Sequence, residues 1–72
     1  MDISDVKNYL GKKVIYNDPR NYIENLECVF RAYRLAYIRG KKYHQAELEE
    51  FHNNNCVMIV PLDMIRPFDE IN

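Results

Sequence analysis

Four side chains in this 72-residue chain could carry metal or thiolate chemistry: Cys28, His44, His52 and Cys56. Two cysteines and two histidines make up the donor set of a structural zinc site. Such sites, however, present at least one close pair of the C-x₂₋₄-C kind, and here the cysteines lie far apart. No metal is therefore expected. A cysteine paired with His44 or His52 would need an electropositive setting to hold its thiolate, and nothing in the sequence builds one. The expectation is two buried thiols in a reducing compartment. Hydroxyl nucleophiles are scarcer still. There is no threonine, and the one serine, Ser4, stands where it would cap a helix. With only Gly11 and Gly40, no glycine-rich loop can cradle a phosphate. These exclusions point to a non-enzymatic chain with no catalytic residues and no cofactor.

Charge is the stronger signal. The net charge is −1, but residues 11–43 hold eight Lys or Arg against three acids, while residues 44–72 hold one Arg against six acids. In the basic half, Arg31, Arg34, Arg39, Lys41 and Lys42 are interleaved with Tyr33, Tyr37 and Tyr43. Guanidinium groups and aromatic faces together suit phosphates and stacked bases. The same pattern also arises when a basic and an acidic strand are hairpin partners. Pairs between Arg31 or Arg34 and Glu47 or Glu49 would then neutralise the patch. That pairing is the preferred explanation, and it leaves Arg39, Lys41 and Lys42 at the tip without matching acids. Arg31, Tyr33, Arg34, Tyr37, Arg39, Lys41, Lys42 and Tyr43 are the candidate binding set.

The elements that would position them can be read from periodicity. Residues 2–10 suggest a short helix, with Asp2 or Ser4 as cap, Ile3, Val6 and Leu10 on one face, and Gly11 at its end. Residues 12–17 read as a strand closed by the turn Asn17-Asp18-Pro19. Residues 56–60 form a continuous apolar run that fits a strand covered on both sides, and Leu62 to Ile65 has room for one helical turn. The middle is ambiguous. Leu26, Val29, Phe30, Tyr33 and Tyr37 recur at helical spacing, yet Leu26, Cys28, Phe30 and Ala32 alternate as in a strand. The density of Tyr, Ile, Val, Phe and Cys between 22 and 38 favours a long hairpin turning near Gly40. Asn53-Asn54-Asn55 reads as a loop, and 69–72 as a tail.

Strand, turn, two long strands, strand, one helical turn and a last short strand resembles SH3-like small barrels, the architecture of SH3, Tudor and related modules. The stretch Val60-Pro61-Leu62-Asp63-Met64-Ile65-Arg66-Pro67 carries the resemblance most clearly. It implies a mainly β fold, a barrel of about five antiparallel strands over residues 11–68 with an added N-terminal helix, all in one domain. The chain has no tryptophan, so the proline-peptide binding of many SH3 domains does not carry over. The run Tyr43-His44-Gln45-Ala46-Glu47-Leu48, with Asn55-Cys56 and Leu62-Asp63-Met64-Ile65, is similar to short uncharacterised proteins of bacterial mobile elements. That resemblance implies a prokaryotic, prophage-type origin.

No apolar run is long enough to span a bilayer, and Asp2 and Asp5 replace the basic start of a signal peptide. A cytoplasmic location without membrane contact is expected. A domain of this size buries only roughly 60% of its extended-chain surface, so a small homo-oligomer or a bound ligand would add stability to a marginal monomer. The expected function is a non-enzymatic interaction module with a protein partner. The alternatives are nucleic-acid binding through the hairpin tip, and an oligomeric phage-type protein that sequesters a nucleotide signal or blocks a defence enzyme.

Overall fold

A computed structural model describes residues 1–53 and 55–68. The expected tail at 69–72 and Asn54 of the asparagine loop lie outside the described residues. Five antiparallel strands form one sheet: β1 (Lys13–Asp18), β2 (Ile23–Ile38), β3 (Lys41–Glu50), β4 (Val57–Pro61) and β5 (Ile65–Pro67). Their order is β4-β3-β2-β1-β5, so consecutive strands neighbour one another until the last returns to the first. Among the described residues no ladder joins β4 to β5. The sheet is open, with both as edges, rather than closed into the expected barrel.

The N-terminal helix is shorter than its sequence pattern suggests. A 3₁₀ turn at Ile3–Asp5 leads into α1 (Val6–Tyr9), and neither has a side-chain cap. Ser4 Oγ donates to Asp2 Oδ2 at 3.0 Å instead. So few residues cannot sustain a helix alone. Gly11 has φ +81°, and its amide donates to the Phe30 carbonyl at 2.7 Å, tying the chain to β2. Of the proposed apolar face only Val6 is buried, while Ile3 and Leu10 stay exposed. The Met1 amine donates to the carbonyls of Leu62 and Ile65 at 3.0 and 2.8 Å, which fastens this segment to the 3₁₀ turn Leu62–Met64.

The ambiguous middle is strand throughout, and the helical alternative is overturned. Phe30 pairs with Leu48 and Ala32 with Glu47, so Arg31 is an extra residue in β2, a β-bulge. Before the bulge, Leu26, Cys28 and Phe30 share the inner face; beyond it, Tyr33, Leu35 and Tyr37 do. Phe30 and Tyr33 are thus three apart on one face of a strand. This spacing imitated a helix. The hairpin closes at Arg39 and Gly40, whose φ values of +52° and +79° fit the two-residue turn that matches strand twist.

The core is one cluster on the inner face: Val6, Val14, Tyr16, Cys28, Phe30, Ala46, Leu48, Val60, Leu62 and Ile65. Between β1 and β2, Asp18 caps the 3₁₀ turn Pro19–Asn21. It accepts from the Arg20 amide at 3.2 Å, Asn21 Nδ2 at 2.7 Å and the Tyr16 hydroxyl at 2.8 Å. At the opposite end of β1, the Lys13 ammonium sits 2.7 Å from Glu27 and within 4.0 and 4.4 Å of the Phe51 and Phe68 ring centres. One cation thereby joins the ends of β3 and β5 to β1.

One expectation fails at β4. The apolar run is not covered on both sides, because β4 is an edge strand with β3 as its single neighbour. Val60 is buried and Met58 half-buried, while Val57 and Ile59 point outward at 57% and 42% exposure.

Candidate functional site

Sequence and register together build a projecting arm. The ladder of β1 with β2 ends at Lys13 and Val29, and that of β4 with β3 ends at Pro61 and Gln45. Past these points the hairpin continues through Leu35–Ile38 and Lys41–His44 with only its own two strands paired, and Tyr33 and Arg34 form its root. With the root, six residues at about 3.4 Å each give a ribbon roughly 20 Å long. The molecule's long axis is 37 Å against 25 and 22 Å.

Six of the eight candidate residues lie on this arm: Arg34, Tyr37, Arg39, Lys41, Lys42 and Tyr43, all exposed. The other two are engaged within the fold. Arg31 forms a salt bridge and hydrogen bond with Glu49, one of the cross-strand pairs the charge pattern suggested. The Tyr33 hydroxyl shares a hydrogen bond with His44 Nδ1, and the two rings stack at 6.0 Å between centroids. The second suggested pairing does not form. The register sets Arg34 opposite Gln45 and Glu47 opposite Ala32, so neither glutamate faces Arg34. Among the described residues Arg34, Arg39, Lys41 and Lys42 are in no ion pair. Four cations therefore stand on the arm without compensation.

Sequence reasoning missed two apolar members of the arm, Leu35 and Ile38, exposed at 42% and 52% beside Tyr37 at 66%. The sequence placed them only in the turn region of the long hairpin, between Leu35 and Lys42; the signal that they project was the absence of apolar partners long enough to cover β2. At the arm's root a groove of about 370 Å³ runs between Asp2, Ile3, Lys42, His44 and Asp63.

The metal- and thiolate-capable set is scattered. Cys28 lies in the core, His44 is on the arm, and His52 is edge-on to Phe51 beyond β3. No group of three or more such side chains converges among the described residues. Both cysteines are free. Burial, then the Glu50 charge and Cys56, push the Cys28 thiol up to about 11. Cys28 should therefore resist thiol reagents until the protein unfolds, while half-buried Cys56 reacts first. Mass-spectrometric counting of labelled sites against time checks this order. Equal rates would place Cys28 outside the core.

Among the described residues no helix is long and apolar enough to cross a membrane. The chain matches no family model, no curated protein and no solved structure.

Proposed function

We propose that the chain is a non-enzymatic interaction module of SH3-like type, from a bacterial mobile element and acting in the cytoplasm, whose hairpin arm engages a protein partner. The SH3-like assignment is supported by the strand order, in which the fifth strand returns to the first after a single 3₁₀ turn. The observation that carries the functional reading is the exposure of Leu35, Tyr37, Ile38 and Tyr43 on a ribbon that no other strand flanks. Aromatic and branched apolar side chains on a stiff support provide contact area at low ordering cost. The surrounding cations favour an acidic partner surface and speed encounter with it.

Nucleic-acid binding is the second reading, favoured by the four unpaired cations around Tyr37 and Tyr43. A two-stranded ribbon fits a major groove, and cations with aromatic faces also suit single strands. Exposed Leu35 and Ile38 favour the protein reading, because phosphates make no use of them.

A photo-crosslinking residue in place of Tyr37, with one in place of Lys7 on α1 as control, tests both readings in cells. A discrete protein adduct from position 37 alone, lost when Ile38→Asp is added, is the expected result. An adduct that nuclease removes, and that Lys41→Glu with Lys42→Glu abolishes, would replace it with the second reading. Equal labelling from both positions would remove the arm as the binding element.

A further inference from the structure

The two edges of the sheet are unequally protected. β5 is three residues long and carries Arg66 and Pro67, whereas β4 is Val57-Met58-Ile59-Val60-Pro61, without a charge. An uncharged, exposed apolar edge is a template for another strand. The amide of Glu50 donates to the carbonyl of Cys56 at 3.0 Å. Hydrogen-bonded and non-bonded pairs alternate in an antiparallel ladder. Met58 and Val60 therefore bond to β3, and the N–H and C=O groups of Val57 and Ile59 face outward with the carbonyl of Pro61. Pro61 has no N–H to lose on that side, the placement a proline tolerates at an edge.

We infer that β4 pairs with β4 of a second copy, antiparallel about a two-fold axis at Ile59. In that register Ile59 faces its own mate, and Val57 faces Pro61 of the other copy. Both outward donors find acceptors: Ile59 N–H meets the opposing Ile59 carbonyl, and Val57 N–H meets the opposing Pro61 carbonyl. The missing proline donor falls at the ladder's end, opposite the Val57 carbonyl, where water replaces it. Every directly opposed side-chain pair is apolar: Ile59 with Ile59, Val57 with Pro61, Met58 with Val60. Glu47 and Glu49 stand one strand further in, opposite Ile59 and Val57. Across the joined sheet they are three strand spacings from their counterparts, about 14 Å, beyond the screening length of physiological salt. The strand is thus complementary to itself in hydrogen bonding, side chains and charge. The symmetry closes at two copies, giving a continuous ten-stranded sheet. One strand-to-strand contact falls short of the roughly 1,200 Å² of a stable interface, so the dimer is weak and concentration-dependent.

Sedimentation equilibrium over a wide concentration range, with hydrogen exchange on the same samples, tests this. The expected result is a monomer–dimer equilibrium in which the Val57 and Ile59 amides exchange about tenfold more slowly once nine in ten chains are paired. Ile59→Lys, at an outward position, should leave the thermal transition in place and abolish the dimer. Lys41→Glu with Lys42→Glu should leave the dimer intact, which separates this edge from the arm. A protein that stays monomeric at every concentration would overturn the proposal. So would a dimer that survives Ile59→Lys, one whose Val57 and Ile59 amides exchange freely, or assembly that continues past two copies.

Discussion

Truncating Phe30 to alanine should remove about 3–5 kcal/mol of stability. Phe30 is the largest side chain with no exposed surface, and it sits in β2 immediately before the bulge. Its ring contributes to the cluster that also holds Val14, Cys28, Ala46 and Leu48. The neighbours are strand residues held by ladders on both sides, so they cannot collapse into the space, and the cavity term adds to the transfer term. A domain of 72 residues has roughly 4–11 kcal/mol in total, so the variant should lose about a quarter of its stability or more. Urea denaturation followed by circular dichroism should show the midpoint falling with an unchanged slope. A loss below about 1 kcal/mol would mean that Phe30 is not the centre of the core.

The second large effect is expected at Asp18. It is 5% exposed and accepts three hydrogen bonds, one of them from the Tyr16 hydroxyl, itself on a residue only 4% exposed. Asp18→Ala uncaps the turn after β1 and leaves that hydroxyl without its acceptor, which alone costs about 1–3 kcal/mol. The same contacts set the pH dependence. The bonds from Asn21 and Tyr16 hold the Asp18 carboxyl below its usual value. A carboxylate lowered on folding contributes stability above its unfolded value, and that contribution is lost as pH falls through the folded one. Glu27, lowered chiefly by its bond from Lys13, adds in the same direction. Tyr16 behaves oppositely. Burial, then the hydrogen bond to Asp18, raise its hydroxyl to about 12, so its contribution is complete below about 10 and lost between the two values. Melting temperature should therefore hold a plateau across neutral pH and fall at both ends. Tyr16→Phe should soften the alkaline fall without removing the acid one. An unchanged alkaline limb in that variant would show that another group produces it.

The sequence was most informative where one face of a strand meets the core and a turn residue leaves no choice. The strand over 12–17 and the hairpin turn near Gly40 follow from strand-forming residues bounded by glycine and by Asn17-Asp18-Pro19. It misled where tertiary placement decides. The apolar run at 56–60 looks the same whether a strand is central or at an edge, and only the sheet order shows that, among the described residues, no strand lies beyond Val57 and Ile59. The N-terminal helix is present but shorter than 2–10, because local capping signals cannot supply the packing that so short a segment needs. Of the binding residues, the tip cations were legible as a run without acids. The pairing of Arg31 with Glu49 was among those the charge pattern suggested, while the fate of Tyr33 was not legible, since it depends on a one-residue offset between β2 and β3.

That offset also bears on how such a chain can change over generations. Losing the single codon for Arg31 would close the bulge and leave every distal pair as it is, Ala32 opposite Glu47, Tyr33 opposite Ala46 and Tyr37 opposite Lys42, at the loss of the Arg31–Glu49 pair. Phe30 and Leu48, on the near side, would keep their places in the interior. One in-frame triplet could therefore be lost at this point while the arm keeps its faces and the body its fold. Changes of chain length in such a lineage would then gather at the bulge, where the ladder absorbs them without turning a face.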